Sequence, residues 1–206
     1  MSETLRLYTD FVCPFCFIAE QSTVPRLLRE FDLILDWRGF ELHPSTPRGG
    51  VSLSRLFPGV ALPSLHDRTK RFAARFGVTD FSPPDVLQNT RRALAVAELA
   101  RDRGRLEPFR AAAFEAYWRE GKNLEDDRDL GALAVAAGLG REEALGAADD
   151  PAFLARVDDK QADARETGVT GIPTFIIAGE EMVGCQPYEA LADAALRAGV
   201  SRRAGG

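Results

Sequence analysis

Two cysteines separated by two residues, in Cys13-Pro14-Phe15-Cys16, are the side chains of this 206-residue sequence best placed to do chemistry. That spacing puts both sulfurs at one end of a helix, where they can close a small disulfide across its first turn. The pair directly follows a strand-like segment and opens a helical one, a context that points to redox exchange rather than to half of a zinc site. Pro14 suits a first helical turn, where its missing N–H would have had no partner. A cysteine at that end faces unpaired backbone N–H groups and the positive end of the helix dipole, both of which favour thiolate over thiol. Cys13 is therefore the expected nucleophile. Cys16, one turn deeper and followed by Phe17 and Ile18, is expected to be more buried and to act as the resolving thiol. Two other readings of the pair are small buried hydrophobes and ligands of a structural metal. Zinc, however, requires four ligands, and the remaining candidates, Cys185, His43 and His66, form no second pair. No metal is expected, and Cys185, in an apolar segment, is read as a core residue.

Composition sets the frame. The chain is 45% apolar and 28% charged, enough for a packed core without a disulfide framework, which three cysteines could not supply. The net charge of -5 is spread along the sequence, with acidic groups at 125–127, 149–150 and 158–159, so nucleic acid is a poor partner. No apolar run approaches the ~18 residues of a membrane span, and the sequence enters a strand-like segment with no charged-then-apolar leader. A cytoplasmic protein is expected, of a size that fits one or two domains.

The elements that must position the thiols can be read in order. Leu5, Arg6, Leu7, Tyr8 and Thr9 alternate as a short strand leading to Asp10. A helical stretch then runs to about Phe31, with a break expected near 22–24 because Pro25 removes a donor and crowds the preceding turn. Residues 33–40 read as a strand buried on both faces. Residues 45–63, rich in Pro, Gly and Ser, mark an irregular crossing. Beyond it the pattern is helical: Phe109, Ala113, Ala116 and Tyr117 share one face, as do Leu130, Leu133, Ala134 and Ala137, with Gly138 as a stop. A further helix is capped by Asp150, carries Pro151 in its first turn and runs to Gly168. Strands return at 174–178 and 182–185, a helix follows at about 188–198, and the tail 201–206 is expected to fray. Pro173, at the entry of a strand, would by base rate follow a trans bond.

These features together resemble the thioredoxin superfamily, and within it the DsbA-like branch in which a helical domain interrupts the fold. Asp10-Phe11-Val12-Cys13-Pro14-Phe15-Cys16 is similar to the active-site stretch of the FrnE-like subgroup, residues 168–175 to its proline loop and residues 183–187 to its closing strand-to-helix turn. Asn89 to Leu94 and Ala116-Tyr117-Trp118 extend the similarity into the insert. The resemblance implies an α/β thioredoxin-like fold, with residues 1–44 and 166–206 forming its two halves and 45–165 the inserted helical domain. It implies a cis Pro173 against the cysteine pair and an Ile172 backbone able to pair with an extended substrate. Phe15 stands where many FrnE-like proteins have tryptophan, and Cys185 where alanine is usual. The activity implied is thiol–disulfide exchange with protein or small-molecule partners, needing no cofactor, with glutathione as a candidate co-substrate and glutathione or a thioredoxin as recycling partner. The branch also holds glutathione-dependent hydroxychromene-carboxylate isomerases and kappa-class glutathione transferases, which characteristically carry serine at the position of Cys13. A non-enzymatic peptide-binding or chaperone module is the third reading. Phe11, Pro14 and Phe15, with Ile172 and Pro173, are the expected substrate surface. Glu20 is read as facing solvent or pairing with Arg26, with a proton acceptor for Cys16 as the alternative. Trp37, Phe40 and Trp118 are expected to pack. His43 is read as a loop residue, and His66 as part of a solvent face with no role.

Overall fold

The structure, a computed structural model, describes residues 3–203. β1 (Glu3–Thr9) buries Leu5 and Leu7 and exposes Thr4, the alternation its sequence carries, before ending in the wholly buried Tyr8 and Thr9. It lies inside a four-stranded sheet of order β2-β1-β5-β6. β2 (Leu33–Gly39) runs parallel to it, β5 (Thr174–Ile177) antiparallel on its other side, and β6 (Glu180–Val183) completes the edge. The register sets Leu5 opposite Ile177 and Leu7 opposite Phe175.

Two expectations about strands are corrected. β2 is an edge strand rather than one buried on both faces: only β1 flanks it, and Ile34 is 59% exposed while Leu33 and Trp37 are buried. β6 stops at Val183, because Gly184 takes up a left-handed conformation (φ +86°) and donates its N–H to the Pro173 carbonyl at 2.7 Å. Cys185 therefore follows the strand and is only partly buried against the core.

The helical stretch after the cysteines divides into α1 (Pro14–Gln21) and α2 (Thr23–Glu30), separated by Ser22 at φ −127°, ψ −79°. Pro25 thus lies in the first turn of a new helix, where its missing donor costs nothing. Residues 45–63 hold more order than their composition suggests. β3 (Val51–Ser52) leads into α3 (Leu53–Leu56), and α4 (Leu62–Ala74) follows, while β3 pairs with β4 (Val86–Leu87) in a small ribbon. Then come α5 (Arg91–Asp102), α6 (Leu106–Trp118), α7 (Asp127–Ala136), α8 (Arg141–Asp149) and α9 (Pro151–Thr167). α5 is buried on every face from Arg92 to Ala100 and forms the axis against which α6, α8 and α9 pack. Asp150 caps α9 by accepting the Ala152 N–H at 2.8 Å. Gly168, at φ +88°, ends it in a conformation that costs glycine little. α10 (Tyr188–Arg197) returns to α2, with the Tyr188 hydroxyl on Glu30 and the Arg26 guanidinium 3.5 Å from its ring centre.

Three links tie the helical segment to the sheet. Asp163 of α9 accepts the Tyr8 hydroxyl at 2.6 Å and a bond from Arg38. The Gln161 side-chain oxygen accepts the Glu41 N–H at 2.9 Å. Glu20 faces neither solvent nor Arg26: it is buried, accepts the Trp37 indole N–H at 3.0 Å and pairs with Arg110 of α6 at 3.1 Å. Arg26 bonds Glu30 instead, at 2.9 Å. Glu20 turns inward because its place on α1, one turn beyond Cys16, faces both the sheet and α6. Residues 201–203, expected to fray, are pinned: Phe31 bridges to Arg202, and the Arg203 N–H reaches the Glu30 carbonyl at 2.8 Å. Residues 204–206 of that tail lie outside the described residues.

The Glu20–Arg110 pair makes a prediction. Removing one partner of a buried pair strands the other charge, at a cost of about 3 kcal/mol. Arg110→Met should lower the urea midpoint accordingly, and Glu20→Gln added to it should restore most of the loss. A single variant as stable as the parent would refute the role given to the pair.

Candidate functional site

Cys13 is the N-cap of α1, in extended backbone conformation, and the turn that delivers it is closed by its N–H on the Asp10 carbonyl at 3.2 Å. Its own carbonyl accepts the Phe17 N–H at 3.0 Å, the first bond of the helix. The Cys13 thiol points across the sheet end and donates to the Ile172 carbonyl at 3.7 Å, beside the cis Ile172–Pro173 bond. The β1–β5 register accounts for this meeting, because Tyr8 opposite Thr174 brings the turn after one strand over the loop before the other. Neither Cys13 nor Cys16 is bridged, and both are buried, at 2% and 0% exposure. Burial above all pushes the Cys16 thiol well above an ordinary cysteine, and its hydrogen bond to Cys13 adds to this; the Thr9 hydroxyl and the Asp10 backbone oppose it. Burial thus favours the protonated form of Cys16.

Cys13 is nearly closed to bulk solvent, but it forms part of the lining of a cavity of about 410 Å³. Pro14, Phe15 and Ile172 line it beside Cys13, together with Leu53, Leu56, Phe57 and Leu65 of α3, α4 and their junction, and with Leu87, Tyr117 and Trp118. Of the predicted substrate surface, Pro14, Phe15 and Ile172 line the cavity. Pro173 lies immediately behind Ile172, joined to it by the cis bond, but does not itself line the space. Phe11 is a correction: it is wholly buried, with ring centres 5.5 Å from Trp37 and 5.1 Å from Phe114. The turn toward Cys13 rotates it into the core rather than toward the thiols. His66 is also corrected, since it is partly buried in the cavity wall, with Nε2 3.3 Å from the Pro84 carbonyl and 3.5 Å from Asp85. His43 lies in a loop, exposed yet lining the cavity, and the partial desolvation of its ring there lowers its pKa. Trp37 and Trp118 pack as expected, and the Trp118 indole N–H holds the Phe11 carbonyl at 2.8 Å. Phe40 packs against the core partly buried. Cys185 lies near enough to Cys13 to feel its charge, after burial the second cause that pushes the Cys185 thiol up to about 12. Among the described residues no group of three His, Cys, Asp or Glu could hold a metal ion.

Asp10 has a part that sequence reasoning missed. Its carboxyl is wholly buried beneath the cysteine turn, with one oxygen accepting the Leu42 N–H at 2.8 Å and the other, Oδ1, without a partner. Burial drives it up to about 7, against the lesser opposing effect of the Leu42 N–H and the nearby Thr90 hydroxyl. The only signal in the sequence was an acid between a buried strand and a redox-type pair.

A thioredoxin-like sheet with a helical segment folded against it, and a cysteine pair facing a cis proline, defines the class. In agreement, the DSBA-like thioredoxin domain model matches residues 4–195, and the chain belongs to that family, whose members are oxidoreductases or isomerases. It is 26% identical over 201 residues to the uncharacterized protein YwbO of Bacillus subtilis, covering 89% of this chain and 91% of that one. It is 23% identical over 180 residues to 2-hydroxychromene-2-carboxylate isomerase of Sphingobium xenophagum, covering 86% and 90%. Among solved structures, a probable DsbA oxidoreductase from Streptomyces coelicolor superposes with a TM-score of 0.84 at 26% identity, covering 95% of this chain and 89% of that one.

Asp10 gives a pH prediction. With an ordinary value of 3.8 and a folded value of about 7, the folded state holds a proton there that the unfolded chain has released. Stability should therefore fall as pH rises through that window and level off above it. Asp10→Asn keeps the acceptor for Leu42 and should flatten the decline in urea midpoint between about pH 4.5 and 7.5. An unchanged pH slope in the variant would refute the assignment.

Proposed function

We propose that this chain is a thiol–disulfide oxidoreductase in which Cys13 attacks and Cys16 resolves. The observation that carries the reading is the placement of Cys13 at the start of α1, opening onto a cavity, with the wholly buried Cys16 thiol within hydrogen-bond reach of it. Cys13 thiolate attacks one sulfur of a substrate disulfide, forming a mixed disulfide and expelling the first substrate thiolate. Cys16 then loses its proton and attacks the Cys13 sulfur, which forms the Cys13–Cys16 bond and releases the second substrate thiolate. Run in reverse, the same steps oxidise a dithiol, so the direction follows from the relative stability of the two redox forms.

Substrates are thiol- or disulfide-bearing proteins or small molecules, held against Pro14, Phe15, Ile172 and Pro173. In the resting protein the Ile172 carbonyl is occupied by the Cys13 thiol, and it becomes free for a substrate N–H once that sulfur is bonded elsewhere. Glutathione or a thioredoxin returns the pair to its starting state, and no resident cofactor is required. Residues 1–44 and 166–206 act as the redox unit, and 45–165 as the insert that shapes access. A cytoplasmic setting fits this use; among the described residues no helix is long and apolar enough to cross a membrane.

A second reading, a glutathione-dependent isomerase or transferase, is favoured by one observation: the apolar cavity beside Cys13, in a chain similar to a hydroxychromene-carboxylate isomerase. Variants separate the two. In exchange, Cys13→Ser should abolish disulfide reduction, and Cys16→Ser should trap a mixed disulfide visible by intact mass. Glutathione-dependent isomerisation that survives Cys16→Ser would decide for the second reading.

A further inference from the structure

From the chemistry of its cavity, we infer that this site is built for a small, uncharged disulfide with an aromatic body, in preference to protein disulfides or oxidised glutathione. The inference rests on the exchange reading of Cys13 and names its substrate class.

Three observations carry it. The first is access. Cys13 has only 2% of its surface open, and the space in front of its sulfur is the cavity, so a disulfide must enter that space to be attacked. A volume of about 410 Å³ lies in the range of small-molecule sites, roughly 300 to 1,000 Å³. A disulfide held between two segments of a folded protein would have to bring its flanking backbone past the exposed Phe15, Leu56 and Phe57 at the mouth.

The second is polarity. Among the described residues no Lys, Arg, Asp or Glu lines the cavity. Oxidised glutathione carries four carboxylates and two ammonium groups, and desolvating even one of them here without a counter-charge is costly. The few polar groups are mostly in use: the Tyr117 hydroxyl donates to the Val86 carbonyl at 3.1 Å, the Trp118 N–H to Phe11, Thr69 to the Leu65 carbonyl at 3.0 Å, and His66 lies on Pro84 and Asp85. The His43 imidazole has no hydrogen-bond partner among the described residues, and offers one donor or acceptor to a ligand. The third is an aromatic lining: Phe15, which packs nearly perpendicular to Phe72 with ring centres 5.1 Å apart, lines the same cavity as Cys13 and offers a ring against which an aromatic group can pack.

The step balances without further reagents until turnover. A disulfide RSSR and the reduced Cys13–Cys16 pair give two RSH and the oxidised pair, and a dithiol such as dithiothreitol supplies the two electrons that reset it.

The test compares 4,4′-dithiodipyridine, neutral and aromatic, with its charged counterpart 5,5′-dithiobis(2-nitrobenzoate), with hydroxyethyl disulfide, with oxidised glutathione and with scrambled ribonuclease. Each rate is divided by the rate for free dithiothreitol to remove intrinsic reactivity. The neutral aromatic disulfide should lead the normalised kcat/KM series by about tenfold or more, and Leu56→Glu, which puts a carboxylate at the exposed wall, should cut its ratio to hydroxyethyl disulfide by about tenfold. Equal or faster normalised reduction of oxidised glutathione or ribonuclease, or an unchanged ratio in Leu56→Glu, would overturn the inference. Diphenyl sulfide, which has no S–S bond, provides a readout independent of exchange. Its binding to Cys13→Ala should quench Trp118 fluorescence and weaken in Leu56→Glu; no binding would overturn the cavity assignment. Binding without disulfide reduction by the parent protein would refute the exchange reading alone.

Discussion

The antiparallel pairing of residues 5–8 with residues 174–177 joins distant parts of the chain, and the thiol site exists only through it. Cys13 and Pro173 belong to turns at the same end of adjacent strands. A slip of one residue in that register would send Leu5 and Leu7 to the opposite face and carry the Ile172 carbonyl away from the Cys13 sulfur. Closing so long a loop costs roughly 4 to 5 kcal/mol by its logarithmic dependence on length. The intervening helices offset this by packing: α9 meets the sheet through Asp163, Tyr8 and Arg38, and α6 through Arg110 and Glu20. The insert is thus a brace for the pairing as well as a wall of the cavity.

Around the thiols, polar groups are rationed in a consistent way. The open side of Cys13 is apolar, the buried side holds Cys16, whose protonated form burial favours, and below lies a carboxyl that burial keeps close to its neutral form. Ionisation is thus discouraged at both of these neighbours of Cys13. Cys185 fits the same pattern, since burial and the nearby Cys13 both hold its thiol protonated.

What could be read from the sequence was whatever depends on neighbours in the chain. The strand before the cysteines, the break ahead of Pro25, the Asp150 cap and the Gly168 stop all follow from local chemistry and stand where expected. The thioredoxin-like class with its helical segment was also legible, because the motif and proline loop bear a family pattern. What escaped were roles set by partners far along the chain. Glu20 looks like a surface acid until Trp37 and Arg110 arrive; Phe11 looks like a companion of the thiols until the turn rotates it into the core; His66 looks solvated until Pro83 and Pro84 cover it. β2 looked central because its composition is apolar, and composition does not say which strand is last in a sheet. The cavity wall at 53–57 was hidden for a related reason: short elements in a Pro- and Gly-rich stretch carry too few residues for periodicity to register.

The strand order has a consequence for synthesis. β1 and the two cysteines leave the ribosome before β5, the partner that covers one side of β1 and brings Ile172 to Cys13, because β5 comes only after the whole helical segment. Until those later residues emerge, the nascent chain carries an unpaired strand edge and two thiols with neither their facing loop nor their cavity. The reactive groups are made before the segments that enclose them, so a growing chain depends on the reducing power of its surroundings for a protection that the finished fold supplies itself.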